Sequence, residues 1–199
     1  MHYCGVVPMQ RALQLALLEE VRDPEPPVRL SALFYEPGSA EDVAAELKRL
    51  GDIVVGVGPG AEPVAEPLGL PMFEAAEDGD RLESVPIPEG AYADTPLFPT
   101  DPDRVFSALQ GRRLPAKRHP YGMQLRIDEL EEDHIVDEGG DLWHRRVEEL
   151  DALACALCAH RFAVGHASWM DGVVLPGTNL PHEFSTRGVM PAVERISLS

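Results

Sequence analysis

Basic side chains are scarce in this chain: 17 Lys and Arg stand against 34 Asp and Glu, a formal net charge of −17. Nucleic-acid backbones are held largely by releasing their counterions to Lys and Arg, so the composition confines any such contact to a local patch. Cysteine is scarce as well. Three in 199 residues, an odd number, do not make a secreted disulfide framework and fit a reducing compartment. No run approaches the roughly 20 apolar residues that a membrane-spanning helix needs. The N-terminus lacks a basic segment followed by an apolar core, so neither anchor nor export signal is expected, and the expected location is the cytoplasm. Hydrophobic residues are plentiful at 44%, enough for a sizeable core in one domain spanning 1–199.

The first sixty residues set out a clear order of elements. Apolar runs at His2 to Pro8 and Arg11 to Glu19 are separated by almost nothing, as in a strand pair or one long bent strand. A proline-rich turn, Asp23 to Pro27, leads to Val28–Tyr35, where Val28, Leu30, Ala32 and Phe34 alternate with their neighbours as in a third strand. Ser39 is a good N-cap with Asp42 three residues on, and Val43, Ala44, Leu47 and Leu50 keep helical spacing until Gly51. Asp52 to Val57 is a short continuous run rich in Val and Ile, the pattern of a central strand buried on both faces.

The rest is less regular. A long irregular insertion is expected at about 59–90, where Pro and Gly recur beside Glu74, Glu77, Asp78 and Asp80. A fifth strand is expected over Ala93–Phe98, a helix over Asp101–Gln110 capped by Thr100 or Asp101, and another over Tyr121–Glu132. The spacing of Trp143, Val147, Leu150, Ala154 and Leu157 predicts one long amphipathic helix from about Leu142 to Val164, ended by Gly165. A C-terminal extension occupies about 178–199. Two placements of it stay open: packing on the domain, or exchange with a second copy in a homo-oligomer.

Several groups of residues invite a chemical reading. Arg112, Arg113, Lys117, Arg118 and His119 form a basic loop, with Arg104, Arg145 and Arg146 as spatial neighbours to be tested; it is the local patch through which nucleic acid or another anion could be contacted. Charge runs usually belong to solvated surfaces, and that plain reading is preferred. Asp141, His144, Glu148 and Asp151, spaced by three, four and three, would line one side of a helix and could hold a divalent ion. An ordinary polar face, in which Asp141 caps the helix and Glu148 pairs with Arg145 or solvent, is the preferred alternative. Asp151 differs, because its neighbours are small and apolar and its carboxylate should be partly enclosed with a partner. Cys155-Ala156-Leu157-Cys158 has redox or zinc-like spacing but lies mid-helix, which favours buried small residues. Gly56, Gly58 and Gly60 read as a turn.

Four stretches carry a resemblance: Gly5-Val6-Val7-Pro8; Val54-Val55-Gly56-Val57-Gly58-Pro59; Leu114-Pro115-Ala116-Lys117-Arg118-His119-Pro120-Tyr121-Gly122; and Leu150 to Leu157 with Gly172-Val173-Val174-Leu175-Pro176 after it. In these the chain resembles a family of predicted nucleases with an RNase H-like fold, otherwise a domain of unknown function. The resemblance implies an α/β three-layer fold, a central mixed five-stranded sheet flanked by helices. It also implies metal-binding carboxylates at positions 7, 58 and 151, with magnesium or manganese as cofactor of the nuclease reaction. Only Asp151 is present. Valine offers no donor oxygen and glycine only backbone, so Val7 and Gly58 are degenerate metal positions, and Glu62, Asp94, Asp101 and Glu148 are the candidates to replace them. Asp151 with Glu148 is thus the expected remnant of the metal site. Two readings follow: a catalytically impaired member acting as a binding or assembly module, which is preferred, and an active metal-dependent nuclease using Asp151 with substitute carboxylates.

Overall fold

His2–Met9 (β1) and Ala12–Val21 (β2) form an antiparallel hairpin in which Met9 stands opposite Ala12. Gln10, at φ 57°, turns the chain in the left-handed conformation that tight hairpins demand. The computed structural model describes residues 1–21, 28–73, 85–87, 90, 93 and 96–177. The proline-rich turn, most of the acidic stretch after Phe73, Asp94 and the extension at 178–199 lie outside the described residues.

Arg29–Phe34 (β3) adds antiparallel to β2. Ala40–Leu50 (α1) begins with the expected capping box: Ser39 Oγ accepts from the Asp42 N–H at 3.2 Å, and the Asp42 carboxylate accepts from the Ser39 N–H at 3.0 Å. Ile53–Val57 (β4) then pairs parallel to β1 and is buried along its whole length. Within the stretch read as irregular, Glu62–Val64 makes a 3-10 turn and Ala65–Leu68 a short helix (α2), pinned by buried Val64 and Leu68. Val85–Pro86 (β5) follows. Leu97–Pro99 (β6), later than the expected fifth strand, pairs parallel to β4. Pro102–Gln110 (α3) and Pro120–Glu132 (α4) bracket the basic loop, and Ile135–Asp137 (β7) pairs parallel to β3. Val147–Ala163 (α5) leads into the hairpin Ala167–Met170 (β8) and Val173–Pro176 (β9).

The main sheet has the order β6-β4-β1-β2-β3-β7, three antiparallel strands extended on the β1 side by two parallel ones. That is the α/β arrangement of a mixed central sheet that the resemblance implies, with six strands where five were expected; the extra strand is β7 on the edge. A second sheet of β5, β8 and β9 was not anticipated. Its turn, Asp171-Gly172 at φ 49° and 77°, is an Asp-Gly hairpin signal plainly written in the sequence.

Alternation along β1 separates the two faces of the sheet. Cys4 and Val6 join the core beneath α1 with Leu15, Leu17, Leu47 and Val55, whereas Tyr3 and Val7 join the core beneath α5 with Leu18, Phe98 and Leu153. Helix α5 runs antiparallel to β1: the Tyr3 ring meets the His160 ring at 4.8 Å, Gly5 lies under Ala152 and Ala156, and Met9 Sδ is 4.0 Å from Arg146 Nη1. The approach at Gly5 leaves no room for a side chain, since an added Cβ would overlap the Ala152 carbonyl oxygen; at Gly56 it would stand 2.5 Å from that of Cys155.

Helix α5 departs from expectation at its start. Leu142–His144 is a separate 3-10 turn, Arg145 and Arg146 are extended, and the α-helix begins at Val147. The Arg145 guanidinium grips Asp137 through Nε–Oδ2 at 2.6 Å and Nη2–Oδ1 at 2.9 Å and lies 4.3 Å from the Phe34 ring centroid, which holds the chain out of helical geometry. Trp143, expected on the apolar stripe, is 49% exposed, while every residue from Leu150 to Ala163 is buried. The helix is therefore enclosed on all sides rather than amphipathic.

Candidate functional site

Val7 and Gly58 are neighbours. The Gly58 N–H donates to the Val6 carbonyl at 2.8 Å, continuing the β1–β4 pairing, and a Cβ built on Gly58 would stand 2.9 Å from Val7 Cγ1. Val7 is buried on the α5 side of the sheet. Because Gly5 underlies Ala152 and Met9 reaches Arg146, Val7 falls at the level of the α5 turn that bears Asp151. Apolar contact fills the strand ends at which the resemblance implies carboxylates.

Asp151 is 5% exposed, and its Oδ2 accepts from Lys117 Nζ at 2.6 Å. Its Oδ1 is buried with no hydrogen-bond partner among the described residues. Burial pushes the carboxyl above its ordinary range, against the hydrogen bond and charge of Lys117. Burial also opposes the charged form of Lys117, but Asp151 and, further off, Asp103 outweigh it and raise the ammonium. The chain has only two lysines, Lys48 and Lys117, so a cation that is rare here is the one lodged against the enclosed carboxylate.

The loop that delivers Lys117 is held by Arg126, which is 3% exposed. Its Nη1 donates to the carbonyls of Pro115 at 3.1 Å and Gly122 at 2.8 Å, and its Nη2 donates to Asp103 Oδ1 at 2.8 Å. Gly122 sits close beneath Ala116, with the Pro115 carbonyl oxygen 2.9 Å from where a Cβ would be, so the loop folds tightly onto the first turn of α4. His119 caps that helix, its Nδ1 accepting from the Tyr121 N–H at 3.2 Å, with Pro120 at the first helical position. Asp101 caps α3 by accepting from the N–H groups of Asp103 and Arg104. Asp103 is thereby placed between Arg126 and Lys117, whose Nζ is 3.9 Å from Asp103 Oδ2.

Arg104, Arg112, Arg113, Lys117 and Arg126 surround a cleft of about 720 Å³ between α3, the loop and the β8–β9 hairpin, with Asp103 the single carboxylate among the described residues that line it. Arg118 is exposed and does not line it. Neither do Arg145, held by Asp137, and Arg146, which stands beside Met9. The basic loop is thus folded around a concavity, not merely solvated, and its members divide between structural and open positions.

The stripe of Asp141, His144, Glu148 and Asp151 is not assembled. Asp141 and His144 belong to the 3-10 turn, where Asp141 caps Trp143, and Arg145 pairs with Glu149 and not with Glu148. Glu62 accepts from the Gly60 N–H. Among the described residues no group of three or more His, Cys, Asp or Glu is placed to hold a metal ion. Valine, glycine and an ammonium do not make a divalent-cation site, so the residues present do not fit the magnesium or manganese that the resemblance implies. Cys4, Cys155 and Cys158 are buried and free, and burial pushes the Cys158 thiol up to about 12, which ends the redox reading of the pair.

A solved structure of RuvC from Thermus thermophilus is similar to the chain at 18% identity, with a TM-score of 0.47, covering 81% of this chain and 94% of that one. No protein-family model matches the chain. No curated protein matches it either. Among the described residues no helix is long and apolar enough to cross a membrane.

Sequence reasoning missed Arg126, Asp103 and the partner of Asp151. Thirty-four residues separate Lys117 from Asp151, and only the fold joins them. A buried arginine on a helix has no periodic signature, because its neighbours Ile127 and Leu130 already account for the apolar face. The tight Pro115, Ala116, Gly122 packing was the available hint.

Proposed function

We propose that this chain is a catalytically impaired RNase H-like protein of the predicted-nuclease family, acting as a binding or assembly module. The observation that carries the reading is the 2.6 Å contact between Lys117 Nζ and Asp151 Oδ2. In the nuclease that the resemblance implies, the late-helix carboxylate would hold a divalent ion together with carboxylates from the strand ends, and the ion would supply Lewis-acid charge stabilisation at the phosphate. Here the ammonium supplies the positive charge that the enclosed carboxylate needs, through one strong charge-assisted hydrogen bond. It offers no open coordination position and no means of ionising a bound water. Val7 and Gly58 add hydrocarbon and backbone in place of donor oxygens.

The test is a cleavage assay with purified protein, magnesium or manganese, and single-stranded, duplex and hybrid nucleic acids. No turnover above a metal-free control is expected. Cleavage that disappears in Asp151→Asn would overturn the reading in favour of a nuclease with substitute ligands.

A further inference from the structure

We infer that the cleft between α3, the 111–119 loop and the β8–β9 hairpin binds the phosphate ester of a small molecule of mononucleotide size. The inference rests on the binding-module reading and names its ligand class.

Charge sets the cleft apart. A chain of net charge −17 gathers five cations here against Asp103, the one carboxylate among the described lining residues, with Asp151 and Asp171 paired to two of them from outside the lining, so two arginines give the cleft a local excess of positive charge. Three of those cations are engaged: Lys117 with Asp151, Arg126 with Asp103 and two carbonyls, and Arg104 with the Met170 and Asp171 carbonyls at 3.1 and 3.2 Å and with the Asp171 carboxylate at 3.4 Å. They fix the shape of the walls. Arg112 and Arg113 are different. Both are exposed; Arg112 makes one long 3.4 Å contact from Nε to Gln110, its Nη groups bonding to no described residue, and Arg113 has no hydrogen bond or ion pair with a described residue. Gly111, left-handed at φ 66°, ends α3 and turns these two guanidinium groups to the cleft. Two adjacent arginine forks match the oxygens of a phosphate better than those of a monoanion.

The remaining lining is apolar apart from Ser107, whose hydroxyl donates to the Asp103 carbonyl, and its Leu114, Met170 and Leu175 suit a ligand with a hydrophobic or aromatic body as well as its phosphate. The volume, about 720 Å³, falls inside the roughly 300–1,000 Å³ of small-molecule sites. A polynucleotide fits less well, because its further phosphates would run onto the acidic surface.

Calorimetry on the full chain in EDTA tests this with AMP, adenosine, inorganic phosphate and an oligothymidylate as probes. AMP is expected to bind one to one, with adenosine and inorganic phosphate each at least about tenfold weaker. Arg112→Gln and Arg113→Gln should each weaken AMP about tenfold while leaving the circular dichroism spectrum unchanged, and Arg49→Gln on α1 should bind as the parent does. Three results would overturn the inference: no AMP binding at millimolar concentration; equal losses in the Arg49 variant; or tighter binding of the oligothymidylate with a steep salt dependence, which would assign the cleft to nucleic acid. Absence of AMP binding in a protein that also fails to cleave sinks the cleft alone. Metal-dependent cleavage sinks the module reading, while binding in EDTA still judges the cleft.

Discussion

Val7 Cγ1 stands where Gly58 leaves room for nothing larger: a Cβ on Gly58 would approach it to 2.9 Å. The two positions are therefore a matched pair, one side chain filling what the other lacks. Gly58→Ala alone should cost about 1–3 kcal/mol through overpacking, and Val7→Ala in the same protein should recover part of that cost. Urea denaturation of the four proteins of this cycle checks it. Strict additivity would show that the contact is not what constrains position 58.

Introducing carboxylates at these positions should not be enough to build a metal centre, because Lys117 already pairs with Asp151 at 2.6 Å. The variant Val7→Asp/Gly58→Asp should bind manganese weakly, and addition of Lys117→Ala should strengthen binding by at least about tenfold. Electron paramagnetic resonance of added manganese distinguishes the two. Equal affinity in both would remove the lysine from the explanation.

Lys117→Met strips the partner from a carboxylate that is 5% exposed, and should destabilise the fold by roughly 1–3 kcal/mol. Combining it with Asp151→Leu removes the stranded charge and should regain most of the loss, as happens when buried pairs are replaced by apolar residues of similar size. Thermal denaturation of both proteins tests the pair. A double variant less stable than Lys117→Met would contradict it.

Acid should weaken the fold in two stages. His160, 2% exposed with Nε2 3.4 Å from Glu20 Oε1, is held below its ordinary value of 6.5 by burial. A depressed folded value means that the unfolded chain takes up the proton first, so stability present above pH 6.5 is lost as pH falls from there. The Glu20 carboxyl is held below its ordinary 4.5 by its hydrogen bond with His160, which places a second loss at lower pH. His160→Gln should flatten the first stage in a melting-temperature profile. An unchanged slope would assign that stage to other groups.

The strands and helices of the first sixty residues were legible because each signal there is local. Alternation at Val28 to Tyr35, the Ser39–Asp42 box and the unbroken Val and Ile run of β4 decide their own conformation. The start of α5 was not, because the bidentate Arg145–Asp137 grip and the Phe34 ring override a helical pattern from outside the segment. The enclosure of Asp151 could be read from its small neighbours. Its partner could not, since Lys117 belongs to a loop shaped by Arg126 and Asp103 through contacts that no spacing rule encodes.

The enclosure of α5 also fixes how the protein opens. With Leu150 to Ala163 buried and Gly5 and Gly56 leaving no gap beneath the helix, its amides can meet solvent only when the sheet and helix separate. Hydrogen exchange at Ala152, Cys155 and Ala156 should report global unfolding, while the β8–β9 hairpin exchanges through smaller local openings. The segment bearing Asp151 is thus a slow clock in the molecule, and the hairpin is geared to it where Cys158 Sγ stands 3.5 Å from the Val174 carbonyl, so that its easy openings are confined to the Asp171-Gly172 turn.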